Sequence, residues 1–271
     1  MPVDPPPTDP TVAYRPGDPH PDSRTAVVTG AGRGIGREIA LRLSRAGHRV
    51  ALVARSEEQL REVAELCPNP TMTIPLDVTD PQAAETIFQI TERWAGQVEI
   101  LVANAGSAGS APLARVTDAD WQASLDLNLT APFRCVRRAV PNMAAVGFGR
   151  IVVIASMAAK RGEPYIAAYT AAKHGVLGLV RSAAAELAGK GITVNAVCPA
   201  YVDTPMTDGA VETIVAKTGM SAGDARARLE NVQPIGRLIS VDEVADAVMF
   251  CVGNAAITGQ GINIDGGAVQ G

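Results

Sequence analysis

From Thr25 onward, short runs of β-branched and other apolar residues alternate with longer stretches whose apolar positions recur every three or four residues. Runs of the first kind predict strands and stretches of the second kind amphipathic helices; their regular alternation predicts βαβ units around a parallel sheet. Seven strands are expected, at Thr25–Thr29, Arg49–Val53, Thr71–Leu76, Ile100–Ala103, Arg150–Ala155, Thr193–Cys198 and Gly261–Ile264. Most are apolar throughout rather than alternating, as strands covered on both faces should be. The expected fold class is α/β, a single doubly wound domain on a seven-stranded parallel sheet.

Polar punctuation marks the helix starts. Asp80 before Pro81 resembles a cap with an early-turn proline, and Thr117 precedes the acidic Asp118 and Asp120. Ser240 with Glu243 predicts a capping box, each side chain satisfying the other residue's backbone N–H; Ser221 with Asp224 is a weaker version. The segment 201–233 is too long for a plain connection and predicts short helices of its own, a small helical substrate lid. Residues 1–23 hold eight prolines and read as an extended arm, whereas 24–271 form the domain.

At 271 residues and 47% apolar composition the chain can bury a sizeable core. The net charge of -4 and the lack of a long basic run argue against nucleic acid or an anionic membrane as partners. There is no apolar run of about 18 residues and no basic-then-apolar N-terminus. A cytoplasmic protein is expected. Cys67, Cys135, Cys198 and Cys251 are widely separated, with no C-x-x-C pair and no histidine spaced to join them, so no metal site is expected.

Chemistry enters directly after the first strand. Thr29 leads into Gly30, Ala31, Gly32, Arg33, Gly34, Ile35 and Gly36, and a helical pattern through Ile39, Ala40 and Leu43 follows. A glycine loop between strand and helix suits a dinucleotide: the glycines admit backbone close to a pyrophosphate, and the helix N-terminus offers free N–H groups and a positive dipole end. Ile35 occupies the third glycine position of the common G-x-G-x-x-G spacing, and Gly30, Gly34 and Gly36 fit T-G-x-x-x-G-x-G instead. The second strand ends at Val53 and Ala54 followed by Arg55, with no carboxylate before Glu57 to meet a ribose 2'-hydroxyl. Arg33 and Arg55 can pair with a 2'-phosphate, so NADP(H) is preferred and NAD(H) is possible.

Asn104-Ala105-Gly106, Ser156, the Tyr169-x-x-x-Lys173 pair and Asn195 to Pro199 follow in an order that resembles the short-chain dehydrogenase/reductase family, notably its 3-oxoacyl and polyketide ketoreductases. The similarity runs from about Thr25 to Gly267. It implies a Rossmann domain and a catalytic tetrad of Asn128, Ser156, Tyr169 and Lys173. The residues make chemical sense beside it. Tyr169 and Lys173 are four apart on an expected helix and share a face. Bringing a phenol from a pKa near 10 to about 7 requires roughly 4 kcal/mol of phenolate stabilisation, for which the ammonium and a positive nicotinamide are sources. Tyr169 then exchanges a proton with the substrate oxygen, and Ser156 hydrogen-bonds the same oxygen. Pro132, four residues beyond Asn128, cannot donate to its carbonyl; this either frees that carbonyl for a relay water or simply kinks the helix.

The resemblance further implies cofactor contacts from Asp77 and Val78 at the adenine, Asn104, Ala105 and Gly106 beside the sheet, Lys173 at the nicotinamide ribose, and Pro199, Val202 and Thr204 at the nicotinamide end. Asp77 otherwise reads as a turn residue. Ala200 stands where the family usually has glycine. Candidate substrate-pocket residues, besides Ser156, are Met157, Tyr165, Tyr201 and Met206, apolar enough for a moderately hydrophobic carbonyl compound. A carrier-protein partner would need basic residues near the site; Arg134, Arg137, Arg138 and Arg181 lie close, whereas the expected docking positions Ala145, Val146 and Ala185 are neutral.

The function expected is NADP(H)-dependent hydride transfer between nicotinamide and a carbonyl or secondary alcohol, such as a 3-oxoacyl thioester. An NAD-dependent secondary-alcohol or hydroxyacyl-CoA dehydrogenase is the alternative. A catalytically silent dinucleotide sensor should have lost the Tyr or the Lys, and a nucleotide-sugar epimerase needs a larger C-terminal domain. By resemblance, the helices around Thr117–Met143 and Ile166–Leu187 form faces of a homodimer or homotetramer.

Overall fold

The computed structural model describes residues 23–270, so the proline-rich arm expected at 1–23 lies, apart from Ser23, outside the described residues. Seven parallel strands form one sheet in the order β3-β2-β1-β4-β5-β6-β7. They are β1 (Thr25–Thr29), β2 (Arg49–Ala54), β3 (Thr71–Pro75), β4 (Ile100–Ala103), β5 (Gly149–Ile154), β6 (Ile192–Pro199) and β7 (Gly261–Ile264). The expected strands all form. Four have ends shifted by a residue, because a strand ends where its ladder partner ends: Ala54 pairs with Pro75, and Pro199 with Ile264.

Alternate residues of each central strand face opposite layers. Val27, Val53, Leu101, Ile151 and Val153 point into one core with Ile87 and Phe88 of α3 (Ala83–Ala95), Met143 of α5 (Ala131–Val146) and Val176 of α6 (Ala167–Leu187). Val28, Leu52, Ile100, Val102 and Val152 meet Ile39 and Leu43 of α1 (Gly34–Arg45), Leu60 of α2 (Glu57–Leu66) and Val248 of α9 (Val241–Gly253). Burying both faces of one sheet in this way makes the fold doubly wound. Arg42 reaches Glu38, Asp242 and Asp246 to tie α1 to α9, and Arg138 grips Glu85 and Glu92 to tie α5 to α3.

Thr117, Ser221 and Ser240 cap α4 (Asp118–Leu125), α8 (Ala222–Glu230) and α9 as expected, with the complete capping box at Ser240 and Glu243. The cap expected at Asp80 is different. Asp80 closes a turn onto the Gln82 N–H at 2.7 Å, and α3 begins only at Ala83, two residues later than a cap at Asp80 would start it. The interruption expected near Asn128 is a π turn over Asp126–Thr130 between α4 and α5, directly ahead of Pro132. The segment 201–233 carries α7 (Pro205–Thr218) and α8, with a small core of Val211, Ala225, Leu229 and Leu238. None of the helices among the described residues is long and apolar enough to cross a membrane.

Candidate active site

The loop leaving β1 is built around absent side chains. A Cβ on Gly36 would stand 2.2 Å from the Gly30 carbonyl oxygen and 2.4 Å from Asn104 Nδ2, so the first turn of α1 lies against β1 at a distance only glycine permits. Gly30, at φ 68°, and Gly34, at φ 56°, adopt left-handed backbone. Arg33 stands at the N-cap of α1 without a capping side-chain bond, which leaves the first N–H groups for an anionic ligand. Ile35 is half-buried against the core on the α1 side and presents its backbone to the loop.

Asn104 braces this loop from β4. Its Nδ2 donates to the Thr29 carbonyl at 2.9 Å and the Gly30 carbonyl at 3.2 Å. Thr29 Oγ1 in turn accepts the N–H groups of Asn104 and Ala105. Thr29 acts here as a positioning residue that the glycine motif carried without being assigned a role. Thr204, the N-cap of α7, lies beside Gly34, where a Cβ would meet its methyl at 3.3 Å. The side chain of Val202 is buried beside Ile239, and Pro199 is buried at the end of β6, so both can offer a ligand only backbone.

Arg33 and Arg55 are exposed, and among the described residues neither guanidinium is held in an ion pair or hydrogen bond. Arg55 exerts its field on Asp77, whose carboxylate is held below the ordinary range mainly by the Thr79 N–H and hydroxyl. Asp77 closes this turn, and Val78 is buried next to it.

The catalytic candidates converge from β5, the π turn and α6. Tyr169 and Lys173 occupy the first two turns of α6. Lys173 is 3% exposed; its Nζ donates to the Ile154 carbonyl at 2.8 Å and lies 5.5 Å from the centre of the Tyr169 ring. Asn128 is fully buried. Its Nδ2 donates to the carbonyls of Ser107 and Ser124, and its Oδ1 accepts the Ser107 N–H, so its side chain fastens the loop after β4 to the π turn. A Cβ on Gly106 would meet Asn128 Oδ1 at 2.9 Å and Lys173 Nζ at 3.6 Å; glycine lets these two groups face each other. Ser156 caps the short turn Met157–Ala159 by accepting the Ala158 N–H at 3.1 Å, and its hydroxyl hydrogen-bonds the Tyr169 phenol.

Burial pushes the Tyr169 phenol up to about 12, against the lowering effect of the Ser156 bond, and burial pushes the Lys173 ammonium down to about 8. In the chain alone desolvation penalises both charged forms at once, before the positive nicotinamide expected as the second source of stabilisation is in place. The chain's own groups therefore keep Tyr169 protonated at neutral pH, as an acid facing the cleft.

The pocket candidates divide. Met157 is buried below Ser156, and Tyr201 packs on the lid core, near enough to Tyr169 to raise its phenol further. Tyr165 and Met206 are exposed. Arg161 and Glu163, absent from the candidates that the sequence offered, form an ion pair between Ser156 and Tyr169 and act electrostatically on Tyr201. Of the basic residues near the site, Arg138 is committed to Glu85 and Glu92, and Arg134 to the Thr79 carbonyl.

Residues 24–215 match the short chain dehydrogenase family model. A protein described as a ketoacyl reductase of Streptomyces coelicolor is 39% identical over 254 residues, covering 91% of this chain and 97% of its own length. The 3-oxoacyl-acyl-carrier-protein reductase of Escherichia coli is 35% identical over 248 residues, covering 91% and 97% respectively. Among solved structures, an actinorhodin polyketide ketoreductase with NADPH superposes with a TM-score of 0.86 at 39% identity, covering 91% of this chain and 97% of that one.

Proposed function

Since the chain belongs to the short-chain dehydrogenase/reductase family, we propose that it is an NADP(H)-dependent ketoreductase that reduces a 3-oxoacyl thioester or a related ketone to the secondary alcohol. The observation that carries this reading is the convergence of the half-buried Ser156 and Tyr169 with the buried Lys173 at the end of β5.

The residues present fit a dinucleotide. Gly30, Gly34, Ile35 and Gly36 would hold the pyrophosphate and Arg33 and Arg55 the 2'-phosphate. Val78, with Asp77 beside it, would border the adenine. Asn104, Ala105, Gly106, Lys173, Pro199, Val202 and Thr204 would line the ribose and nicotinamide end. When bound, NADPH supplies the hydride. Tyr169 Oη donates its proton to the substrate oxygen, and Ser156 Oγ stabilises the charge that this oxygen gains. Lys173, held by the Ile154 carbonyl, fixes the tyrosine's surroundings and supplies positive charge when the phenolate forms. Asn128 keeps the Ser107 loop closed behind it.

The substrate side favours a CoA thioester or a free ketone over an acyl group on carrier protein, because the expected docking positions Ala145, Val146 and Ala185 are neutral and Arg138 and Arg134 are paired within the chain, which leaves Arg137 and Arg181 as the exposed cations nearby. A homo-oligomer and a cytoplasmic setting complete the reading. Initial rates with NADPH and NADH against acetoacetyl-CoA and simple ketones test it. NADPH-dependent loss of substrate is expected, and Tyr169→Phe should lower kcat by at least 100-fold. Unchanged turnover in that variant would overturn the mechanism.

A further inference from the structure

Tyr165 is the single non-glycine residue with positive φ among the described residues, at φ 70°. An aromatic side chain there crowds its own backbone, whereas glycine or asparagine would fit without strain. Burial does not compensate for the strain: Tyr165 is 62% exposed, and its hydroxyl makes no hydrogen bond among the described residues. A bulky ring kept on a strained, exposed backbone needs another reason.

Its position supplies one. The Tyr165 carbonyl accepts the Ala111 N–H at 2.8 Å, and the neighbouring Ser110 carbonyl accepts Lys217 Nζ of α7 at 2.9 Å. The loop after β4, the segment between Ser156 and Tyr169, and the lid are therefore joined at one place. On the other side Arg161 pairs with Glu163 and donates to the Ala268 carbonyl at 2.8 Å, fixing the same segment to the C-terminal strap. Two more apolar side chains on these bordering elements face solvent, Leu113 at 76% and Met206 at 51% exposure.

We propose that Tyr165 is a specificity-determining residue, whose ring stands at the mouth of the cleft and stacks on a flat apolar portion of the substrate beyond the reacting carbonyl. Its preferred substrates thereby carry an aryl group beyond the reacting carbonyl, over small aliphatic ketones. An offset aromatic contact of this kind needs an exposed ring face, and the Ala111 bond to the Tyr165 carbonyl holds the backbone that presents it. The proposal rests on the ketoreductase reading, and NADP+ binding together with turnover of 2-butanone tests that reading separately.

The experiment measures dissociation constants of 4-phenyl-2-butanone and 2-butanone from the NADP+-saturated protein by ligand-observed NMR, so that it does not depend on turnover. Tyr165→Asn and Tyr165→Ala should weaken 4-phenyl-2-butanone about tenfold relative to 2-butanone, and Tyr165→Phe should keep the preference within about twofold. In NADPH assays the loss should fall in KM rather than kcat. The unfolding midpoint of Tyr165→Asn should stay within about 3 °C of the parent or rise, because asparagine tolerates the left-handed backbone. Equal weakening of both ketones would overturn the proposal. A fall of the Asn variant's midpoint by more than about 5 °C would do so too, by showing that the ring serves the fold.

Discussion

Lys173 and Tyr169 are costly to bury, and the cost has a sign that can be measured. The Lys173 ammonium is pushed down to about 8 in the folded chain from an ordinary 10.5. Between these values the unfolded chain binds more protons than the folded one, so this group makes stability rise with pH across that window. The full effect is about 3 kcal/mol. Relative to Lys173→Met, the native protein should gain stability in urea titrations from pH 7.5 to 9.5; a constant difference would contradict the buried ammonium. The test stops below pH 10 because the phenol, raised to about 12, reverses the sign above that point. Arg33 and Arg55 belong to the same scale. A charge-assisted bond to a 2'-phosphate is worth roughly 1.5–3 kcal/mol. Arg55→Ala should therefore reduce the NADPH-to-NADH ratio of kcat/KM by ten- to hundredfold, read from initial rates, and an unchanged ratio would place the guanidinium in solvent.

At the scale of elements, α9 carries the most complete signal in the chain. Ser240 Oγ accepts the Glu243 N–H at 3.1 Å, Glu243 Oε2 accepts the Ser240 N–H at 2.8 Å, and Arg237 adds a bidentate ion pair. Together, with Arg237 first, these hold the Glu243 carboxyl down at about 2. Its folded value lies below its unfolded one, so the stabilisation is full above about 4.5 and is lost as the pH falls through about 2. Glu243 is 39% exposed, so solvent screens the ion pair and the expected gain is only about 1 kcal/mol. Glu243→Gln should cost about that much at pH 7 and little near pH 2 in chemical denaturation. The box was readable because serine and glutamate three apart have one obvious geometry. Asp80 was misread for the complementary reason: a short acidic side chain before proline serves a turn as well as a cap. The π turn at Asp126–Thr130 left only Pro132 as a trace, since an i to i-5 register follows from packing around Asn128.

For the whole molecule, the sheet and its two cores were legible because buried parallel strands are written as continuous apolar runs. The glycine loop and the candidate catalytic residues were legible as an order of residues. The Ile154 carbonyl that anchors Lys173 and the left-handed backbone at Tyr165 left no sequence signal, since any residue supplies a carbonyl and tyrosine is not a turn former. Assembly is the remaining question at this scale, and the outer surfaces of α5 and α6 bear on it. Along α6 the exposed positions His174, Gly178, Ser182 and Ala185 recur every three or four residues, and space beyond Gly178 is open within 4 Å. Along α5 the exposed Phe133, Arg137, Pro141 and Ala145 recur every four. The small side chains Gly178, Ser182 and Ala185 let a second helix approach closely between His174 and the exposed Arg181 at the edge of the stripe, and an exposed phenylalanine beside them gains from being covered. On the proposed reading these two faces meet their counterparts across a two-fold axis, so each substitution acts twice per interface. Light scattering behind size exclusion should give a dimer or tetramer for the parent chain, and Gly178→Arg should reduce the mass while retaining the helical circular dichroism. A monomeric parent would reject the assembly, and a Gly178→Arg variant of unchanged mass would move the interface off α6.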